Sequence, residues 1–155
     1  MGLPRLERCL RAFPNVKWCG HGPGFWSAIS GDDDGQPGYP SGPIAPGGAI
    51  DRLMAAYDNL YLDLSARSGY SALTRDPAFT QGFVERHWQR MLFGTDIVAR
   101  EPLSELPEDE RAARVARFES VWQREFAYYE TQETFTVANR EVRGLGLPTD
   151  VLDKL

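Results

Sequence analysis

The sequence predicts an α/β fold, with three short parallel strands, helices between them and a long C-terminal helix. The segments near 15–20, 60–64 and 90–94 are short and rich in leucine, valine, methionine or aromatic residues, as strands are. The segments around them repeat apolar residues at three- and four-residue steps, the spacing of one helix face. Strands that alternate with helices form βαβ units, whose strands are parallel.

The helices before the third strand follow from apolar spacing and end signals. Leucines and a phenylalanine on one face predict a first helix over 3–13, and the same spacing recurs at 49–57. A polar loop at 65–69 leads into a short helical stretch that ends at Arg75. Asp76 suits the N-cap, and Pro77 the first position, of a further helix, whose inner face is marked by Phe79, Phe83, Val84 and His87.

The longest helix is predicted to begin at Pro107, because the acidic residues at 108–110 complement the positive end of a helix dipole. A last short helix is predicted over 149–155. The core-facing stripe predicted for the long helix consists of Val115, Phe118, Trp122, Phe126 and Tyr129.

The segment 20–48 is predicted to be a loop, since it holds nine glycines and five prolines and no lysine or arginine. A loop of this length within a compact domain is usually functional or disordered, and a plain linker is the alternative. The aromatic and aliphatic residues of the segment indicate that at least its first part packs on the domain: Phe25, Trp26, Ile29 and Tyr39.

Length and charge narrow the classes of protein. The 155 residues suit one domain over 1–155, and a net charge of −5 argues against nucleic acid or an anionic membrane as partner. No apolar run approaches the roughly 20 residues of a membrane-spanning helix. The charged N-terminus is unlike a signal peptide, and two cysteines are too few for a disulfide framework. A cytoplasmic location is therefore expected.

Polar side chains follow each predicted strand. His21 comes after the first, 63–67 after the second and Asp96 after the third. Loops after parallel strands lie on one side of a sheet, so these groups are expected to converge. A histidine and an aspartate placed so could bind a metal or share a proton transfer. A hydrogen-bonded structural histidine and a turn aspartate are the simpler interpretation.

Three strings resemble successive strand regions of the amidohydrolase-related family, which are metal-dependent TIM-barrel hydrolases. Residues 13–26, FPNVKWCGHGPGFW, resemble the family's sixth-strand region. Residues 57–66, YDNLYLDLSA, resemble its seventh strand, and residues 90–96, RMLFGTD, its eighth. Order and spacing agree with the family over most of the chain. The resemblance implies a partial (β/α)8 barrel, its last three βα units, because a complete barrel needs about 200–250 residues.

The same resemblance implies a metal-dependent hydrolase, or a related decarboxylase, that uses a divalent metal such as zinc. Asp96 matches the family aspartate that binds the metal and takes a proton from the metal-bound water. His21 matches the histidine that binds metal in some members and contacts substrate or water in others. A divalent metal lowers the pKa of its bound water to about 7.

The metal site is expected to be incomplete in this chain. The chain has two histidines and no His-x-His motif, whereas the family takes further ligands from its first and fifth strands. The missing ligands would come from an N-terminal barrel half or from a second polypeptide. Poor zinc binding by this chain alone is therefore predicted, because catalytic zinc normally keeps three protein ligands.

The predicted partner is a small, partly hydrophobic organic molecule, with no nucleic acid and no membrane. Its candidate contacts are Phe25, Trp26, Ser65 and Arg67. Exposed sheet edges also predict a homo-oligomer or docking to the missing barrel half. Two other functions remain open: a non-catalytic truncated barrel used for binding or assembly, and a small α/β protein with its own ligand site in the 20–48 loop.

Three further residues are predicted to be structural. Cys19 is expected to be a buried cysteine on the strand face of His21, and an unorthodox metal pair of the two is the alternative. Asp63 is expected to make a structural hydrogen bond near the barrel rim. His87 is expected to be a packed or surface residue of its helix.

Overall fold

The computed structural model describes residues 2–33, 38–98 and 102–155, without the side chain of Ala66. Residues 34–37 of the predicted 20–48 loop therefore lie outside the described residues. The helices are α1 Pro4–Ala12, α2 Pro23–Trp26, α3 Ala49–Ala56, α4 Ala66–Leu73, α5 Pro77–His87, α6 Glu108–Glu130 and α7 Thr149–Leu152. The strands are β1 Trp18–Gly20, β2 Leu60–Asp63, β3 Met91–Leu92, β4 Thr134–Val137 and β5 Arg140–Arg143.

The first three strands form one parallel sheet in the order β1-β2-β3. Gly20 is aligned with Leu62, and Asp63 with Leu92. The predicted mixed α/β architecture with a three-stranded parallel sheet is confirmed. The strands are shorter than predicted, since they span Trp18–Gly20, Leu60–Asp63 and Met91–Leu92.

The two faces of this sheet differ. Leu60, Leu62 and Met91 are fully buried on one face, beneath the helices. On the other face Cys19 and Leu92 are exposed, and the Lys17 ammonium lies 5.3 Å from the centre of the Tyr61 ring. Parallel sheets are normally covered on both faces. The described part of this chain leaves one face uncovered.

The helix ends follow the sequence. The Asp76 carboxylate accepts a hydrogen bond from the Phe79 amide, and Pro77 begins α5, as predicted. Three acidic residues occupy the first turn of α6, which begins at Glu108. In the described ranges no helix combines the length and apolar character that a membrane span requires.

The core lies between the buried sheet face and the helices. Its largest fully buried side chains are Trp26, Tyr128, Phe83, Leu10, Ile29, Ile50, Leu53, Met54, Leu60, Leu62, Leu64 and Leu73. Burying an aliphatic or aromatic side chain of this kind contributes roughly 1.5–3 kcal/mol.

The Gly/Pro-rich segment is more ordered at its start than the sequence predicts. It contains α2 and a turn of 3-10 helix at Ser27–Ile29, whose apolar side chains are buried as expected. Tyr39 differs, since it is exposed rather than packed. Further along, the Arg75 guanidinium donates hydrogen bonds to the carbonyls of Ser41, Gly42 and Pro43. Arg75 therefore fastens this part of the loop to the end of α4.

In the C-terminal third one element was not predicted and one predicted boundary is wrong. The sequence analysis missed the antiparallel hairpin of β4 and β5, whose turn residues Ala138 and Asn139 both have positive φ, as in tight hairpin turns. The last helix ends at Leu152, short of residue 155.

The predicted stripe of α6 is also only partly buried. Val115 and Phe126 are exposed, and Tyr129 alone of the five stripe residues is buried. The side chains that α6 buries in the core are Glu125, Tyr128 and Tyr129. Phe126 instead stacks on Phe93 beyond the end of β3, with ring centres 4.8 Å apart.

Candidate functional site

The candidate site lies where β1 and β2 end. His21 follows β1 and Asp63 closes β2, and the parallel register sets the two residues side by side. Nδ1 of His21 lies 3.0 Å from Oδ2 of Asp63. The His21 side chain is 45% exposed, and its other ring nitrogen, Nε2, has no hydrogen-bond partner among the described residues.

Ser65 holds the Asp63 carboxylate in place. The Ser65 amide donates to Oδ1 of Asp63 over 2.8 Å, and the Ser65 hydroxyl oxygen lies 3.5 Å from Nδ1 of His21. Burial opposes ionisation of Asp63, but hydrogen bonds from Ser65 and His21 outweigh it and lower the pKa of that carboxyl. Asp63 is therefore an ionised partner for the imidazole at neutral pH.

Two buried aromatic residues, Trp26 and Phe25, contact the strand ends that carry the His21–Asp63 pair. The Trp26 indole N–H donates to the carbonyl of Asp63 over 3.1 Å, and Trp26 is 1% exposed. Phe25 packs beneath Gly20, where an added Cβ would lie 2.1 Å from the Phe25 ring. A side chain at position 20 would displace Phe25. Both aromatic residues belong to the core, and their predicted contact with a substrate stays a prediction.

The third strand end packs against the same pair. A Cβ on Gly94 would lie 3.1 Å from Ser65 Cβ and 3.4 Å from Asp63 Oδ1. Glycine at this position therefore lets the chain after β3 approach the pair closely. The polar groups of the first two strands meet at this edge, as predicted.

Asp96, two residues beyond Gly94, is placed differently. It is exposed and adopts a left-handed backbone conformation with φ of 47°. The described part of the chain records no hydrogen bond or ion pair of Asp96, to His21 or to any other residue. Its assignment as a metal ligand stays a prediction.

Arg67 and Cys19 complete the predicted surroundings. Arg67 is exposed in the first turn of α4, and its contact with a substrate stays a prediction. Cys19 is exposed on the open sheet face, so the expectation that it is buried is wrong. Partial loss of solvent around the thiol, together with the nearby charge of Asp63, nevertheless raises the pKa of Cys19. A neutral thiol is a poor metal ligand.

The described residues do not form a complete metal centre. No group of three or more histidine, cysteine, aspartate and glutamate side chains among them could hold a metal ion. A carboxylate at one ring nitrogen, such as Asp63 at Nδ1 of His21, is the arrangement found behind metal-bound histidines. His21 therefore fits one ligand position, and the rest of the donor set is not present in the described chain.

The geometry also decides which chemistry His21 can perform. In a Ser-His-Asp triad the serine and the aspartate lie at opposite nitrogens of the imidazole. Here the Ser65 hydroxyl and the Asp63 carboxylate both lie at Nδ1. Ser65 is therefore no nucleophile activated by His21. Nε2 is the ring atom that remains available to accept or donate a proton.

The second histidine makes a similar pair within the core. His87, at the end of α5, is 5% exposed, and its Nε2 lies 2.7 Å from Oδ1 of Asp51 on α3. Burial lowers the pKa of His87, and the hydrogen bond and charge of Asp51 oppose this only in part. The expectation that His87 is a packed helix residue is confirmed.

Sequence analysis missed the role of Asp63 as the partner of His21. The positions of the residues carried a signal, because Asp63 and Ser65 share a strand face and each predicted strand ends in polar groups.

No protein-family model, curated protein sequence or solved structure matches this chain. The resemblance to the amidohydrolase-related family therefore depends on the strand-end motifs alone.

Proposed function

We propose that this chain belongs to a metal-dependent hydrolase of the amidohydrolase-related family, or to a decarboxylase of the same design. The observation that carries the proposal is the His21–Asp63 pair at two neighbouring parallel strand ends, with Nε2 open to solvent. In parallel α/β folds, groups at this edge face the active site.

The shape of the sheet supports a partial barrel. Its three strands are parallel and sequential, helices cover one face, and the other face is open. The inside of a barrel would be such a face, closed by further strands. We propose that the strands and metal ligands missing from this unit come from another segment or a second polypeptide.

The chain's own residues have defined tasks in this proposal. His21 acts here as the family histidine that contacts the attacking water and does not bind the metal: its Nε2 accepts a proton from that water or returns one to the leaving group, as general acid–base groups do. Asp63 orients the ring and stabilises the imidazolium that forms. A divalent metal such as zinc, when bound, would supply hydroxide at neutral pH. Asp96 would contribute to holding that metal, as the family resemblance implies.

The substrate proposed is a small organic molecule with an ester, amide or carboxylate group. Hydrolysis is tested on a panel of aryl esters and anilides, and decarboxylation on aromatic acids, with millimolar zinc or manganese. The assay uses the chain together with the segment or second polypeptide that supplies the missing strands and ligands, because the described residues of the chain supply only part of a donor set. We expect turnover that falls at least about 100-fold in His21→Gln, the usual contribution of a general acid–base group. His87→Gln is the matched control and should keep its activity. Turnover that is equal in both variants, or absent throughout, would contradict the proposal.

Metal content is a second test. We expect no stoichiometric zinc in the chain purified alone, because the described residues supply only part of a donor set. Elemental analysis and calorimetric titration measure this directly. One tightly bound metal per chain, lost in both His21→Ala and Asp96→Ala, would show instead that the chain holds a complete site.

A second candidate function is a non-catalytic assembly module. The open sheet face and the exposed Val115 and Phe126 of α6 favour it, because apolar surface and free strand edges invite pairing with another chain. Self-association or docking is then expected. Sedimentation of a stable monomer at tens of micromolar, roughly where modest interfaces dissociate, would count against this function.

A further inference from the structure

We propose that Asp63 is a positioning residue that holds neutral His21 in its Nδ1–H tautomer, so that the lone pair of Nε2 faces the reacting molecule. The hydrogen-bond arrangement stands on the geometry alone. The role of Asp63 in positioning a catalytic group rests on the function proposed above, since that function makes His21 the proton carrier.

Nδ1 of His21 faces a hydrogen-bond acceptor. Oδ2 of Asp63 lies 3.0 Å away, and an ionised carboxylate can only accept hydrogen bonds. The Ser65 hydroxyl, 3.5 Å away, can turn to donate or accept and so imposes no tautomer. Nδ1 must therefore carry the proton of the neutral ring.

Asp63 is itself held in place by two hydrogen bonds. Oδ1 of Asp63 accepts the Ser65 amide over 2.8 Å, and the backbone carbonyl of Asp63 accepts the Trp26 indole over 3.1 Å. The Ser65 amide N–H can only donate, so the side-chain atom of residue 63 that it meets must be an acceptor. The Asp63 side chain is thus fixed in one orientation, with Oδ2 towards the ring.

The other histidine provides an internal contrast. In His87 it is Nε2 that meets a carboxylate oxygen, 2.7 Å away on Asp51, while Nδ1 is buried without a partner in the described structure. The same reasoning assigns His87 the Nε2–H tautomer. One chain thus holds both neutral tautomers, each set by the position of its aspartate.

The substitution Asp63→Asn should change the tautomer of His21. The oxygen of the new side-chain amide must take the place of Oδ1, because the Ser65 amide requires an acceptor there. The NH₂ group then takes the place of Oδ2 and donates to Nδ1 of His21. The neutral ring must move its proton to Nε2, which removes the lone pair from the open side.

The test is long-range ¹H–¹⁵N correlation of the two imidazole rings, which distinguishes the tautomers directly. Spectra are recorded at about pH 8.5, where an ordinary imidazole is neutral. In the wild-type chain we expect Nδ1–H for His21 and Nε2–H for His87. In Asp63→Asn we expect His21 to change to Nε2–H while His87 keeps its tautomer and so reports an intact fold. Ser65→Ala should leave both tautomers unchanged.

Two results would overturn the inference. One is an Nε2–H tautomer for His21 in the wild-type chain, a reading that needs no variant to fold. The other is a folded Asp63→Asn chain in which His21 keeps Nδ1–H.

The outcome is separable from the proposed function, since the spectra need no substrate. With a substrate in hand, Asp63→Asn should lower kcat by about 100-fold and leave KM nearly unchanged, because binding is not its task. The tautomer change without any His21-dependent turnover would support the inference while contradicting the proposed function.

Discussion

The chain contains two histidine–aspartate pairs that differ mainly in where the fold places them. His21 and Asp63 meet at the open edge of the sheet, with the histidine side chain 45% exposed. His87 and Asp51 meet between α5 and α3, with the histidine 5% exposed. The same two side chains are thus available for chemistry in one place and serve packing in the other. Position relative to strand ends, rather than residue type, separates the two roles.

The two histidine–aspartate pairs also differ in the charged groups that surround them. The Asp51 carboxylate is shared, because Arg86 donates to its Oδ2 over 3.1 Å while His87 occupies Oδ1. Burial lowers the pKa of His87, and the positive charges of Arg86 and Arg90 add to that effect. At the open edge, the Asp63 carboxylate binds His21 and Ser65, and no arginine among the described residues shares it. His87 is therefore kept neutral, whereas His21 is oriented.

The largest expected difference is in stability. His87→Ala removes a buried ring that packs on Phe83 and leaves Asp51 without its closest partner, so it should cost about 3 kcal/mol. His21→Ala removes an exposed pair, which is worth at most about 1 kcal/mol. Urea unfolding followed by circular dichroism measures both. Equal losses in the two variants would remove the distinction between the pairs.

The next effect is the pH dependence that His87 contributes. Its pKa is lowered in the folded chain from an ordinary value of 6.5, so the unfolded chain binds a proton that the folded chain does not. Stability should therefore fall as pH drops below about 6.5, and be unaffected by this group above it. Between pH 7.5 and 5.5 the wild-type chain should lose more stability than His87→Gln, by up to about 1 kcal/mol.

The comparison with His87→Gln is needed because Glu125 acts in the opposite sense. Burial raises the pKa of Glu125 to about 7, so its contribution falls as pH rises from 4.5 towards 7. The wild-type chain and His87→Gln both contain Glu125, so its effect on stability cancels in the difference between them. A difference that is independent of pH would contradict the buried, neutral His87.

The smallest effect is expected at Gly94. Its φ is not positive, so alanine is allowed by the backbone, but the new Cβ would lie 3.1 Å from Ser65 Cβ. Gly94→Ala should cost about 1 kcal/mol or less and shift the NMR signals of His21 and Ser65, with His87 unmoved. Gly82→Ala on α5 is the control: it meets only the flexible end of Arg86 and should stabilise by about 0.5–1 kcal/mol. Shifts confined to His87 would contradict the packing of Gly94 on the pair.

The alternation of strands and helices could be predicted from the sequence because it depends on local patterns. The pairing of His21 with Asp63 could not, because it depends on the register that aligns Gly20 with Leu62. Alternating apolar residues decide which face of each strand is buried, but which residues of two strands stand side by side depends on packing between segments 42 residues apart. The β4–β5 hairpin was missed because its turn, Ala138-Asn139, lacks the glycine that usually marks such turns.

The long helix illustrates the same limit. Its strongest apolar stripe, which includes Phe118 and Trp122, does not coincide with the face it buries. Glu125 lies on the buried face, so hydrophobic periodicity pointed to the neighbouring one. Periodicity predicts that a helix forms, whereas the packing of α6 against the rest of the fold decides which side is covered.

The most direct test of the contrast between the two pairs is the rate at which diethyl pyrocarbonate modifies each histidine, followed by mass spectrometry of the native chain. The reagent needs an accessible, unprotonated ring nitrogen. His21 should react at least about ten times faster than His87, because its Nε2 lone pair is exposed while the free nitrogen of His87 is buried. Equal rates, or faster modification of His87, would contradict the assignment of His21 as the reactive histidine.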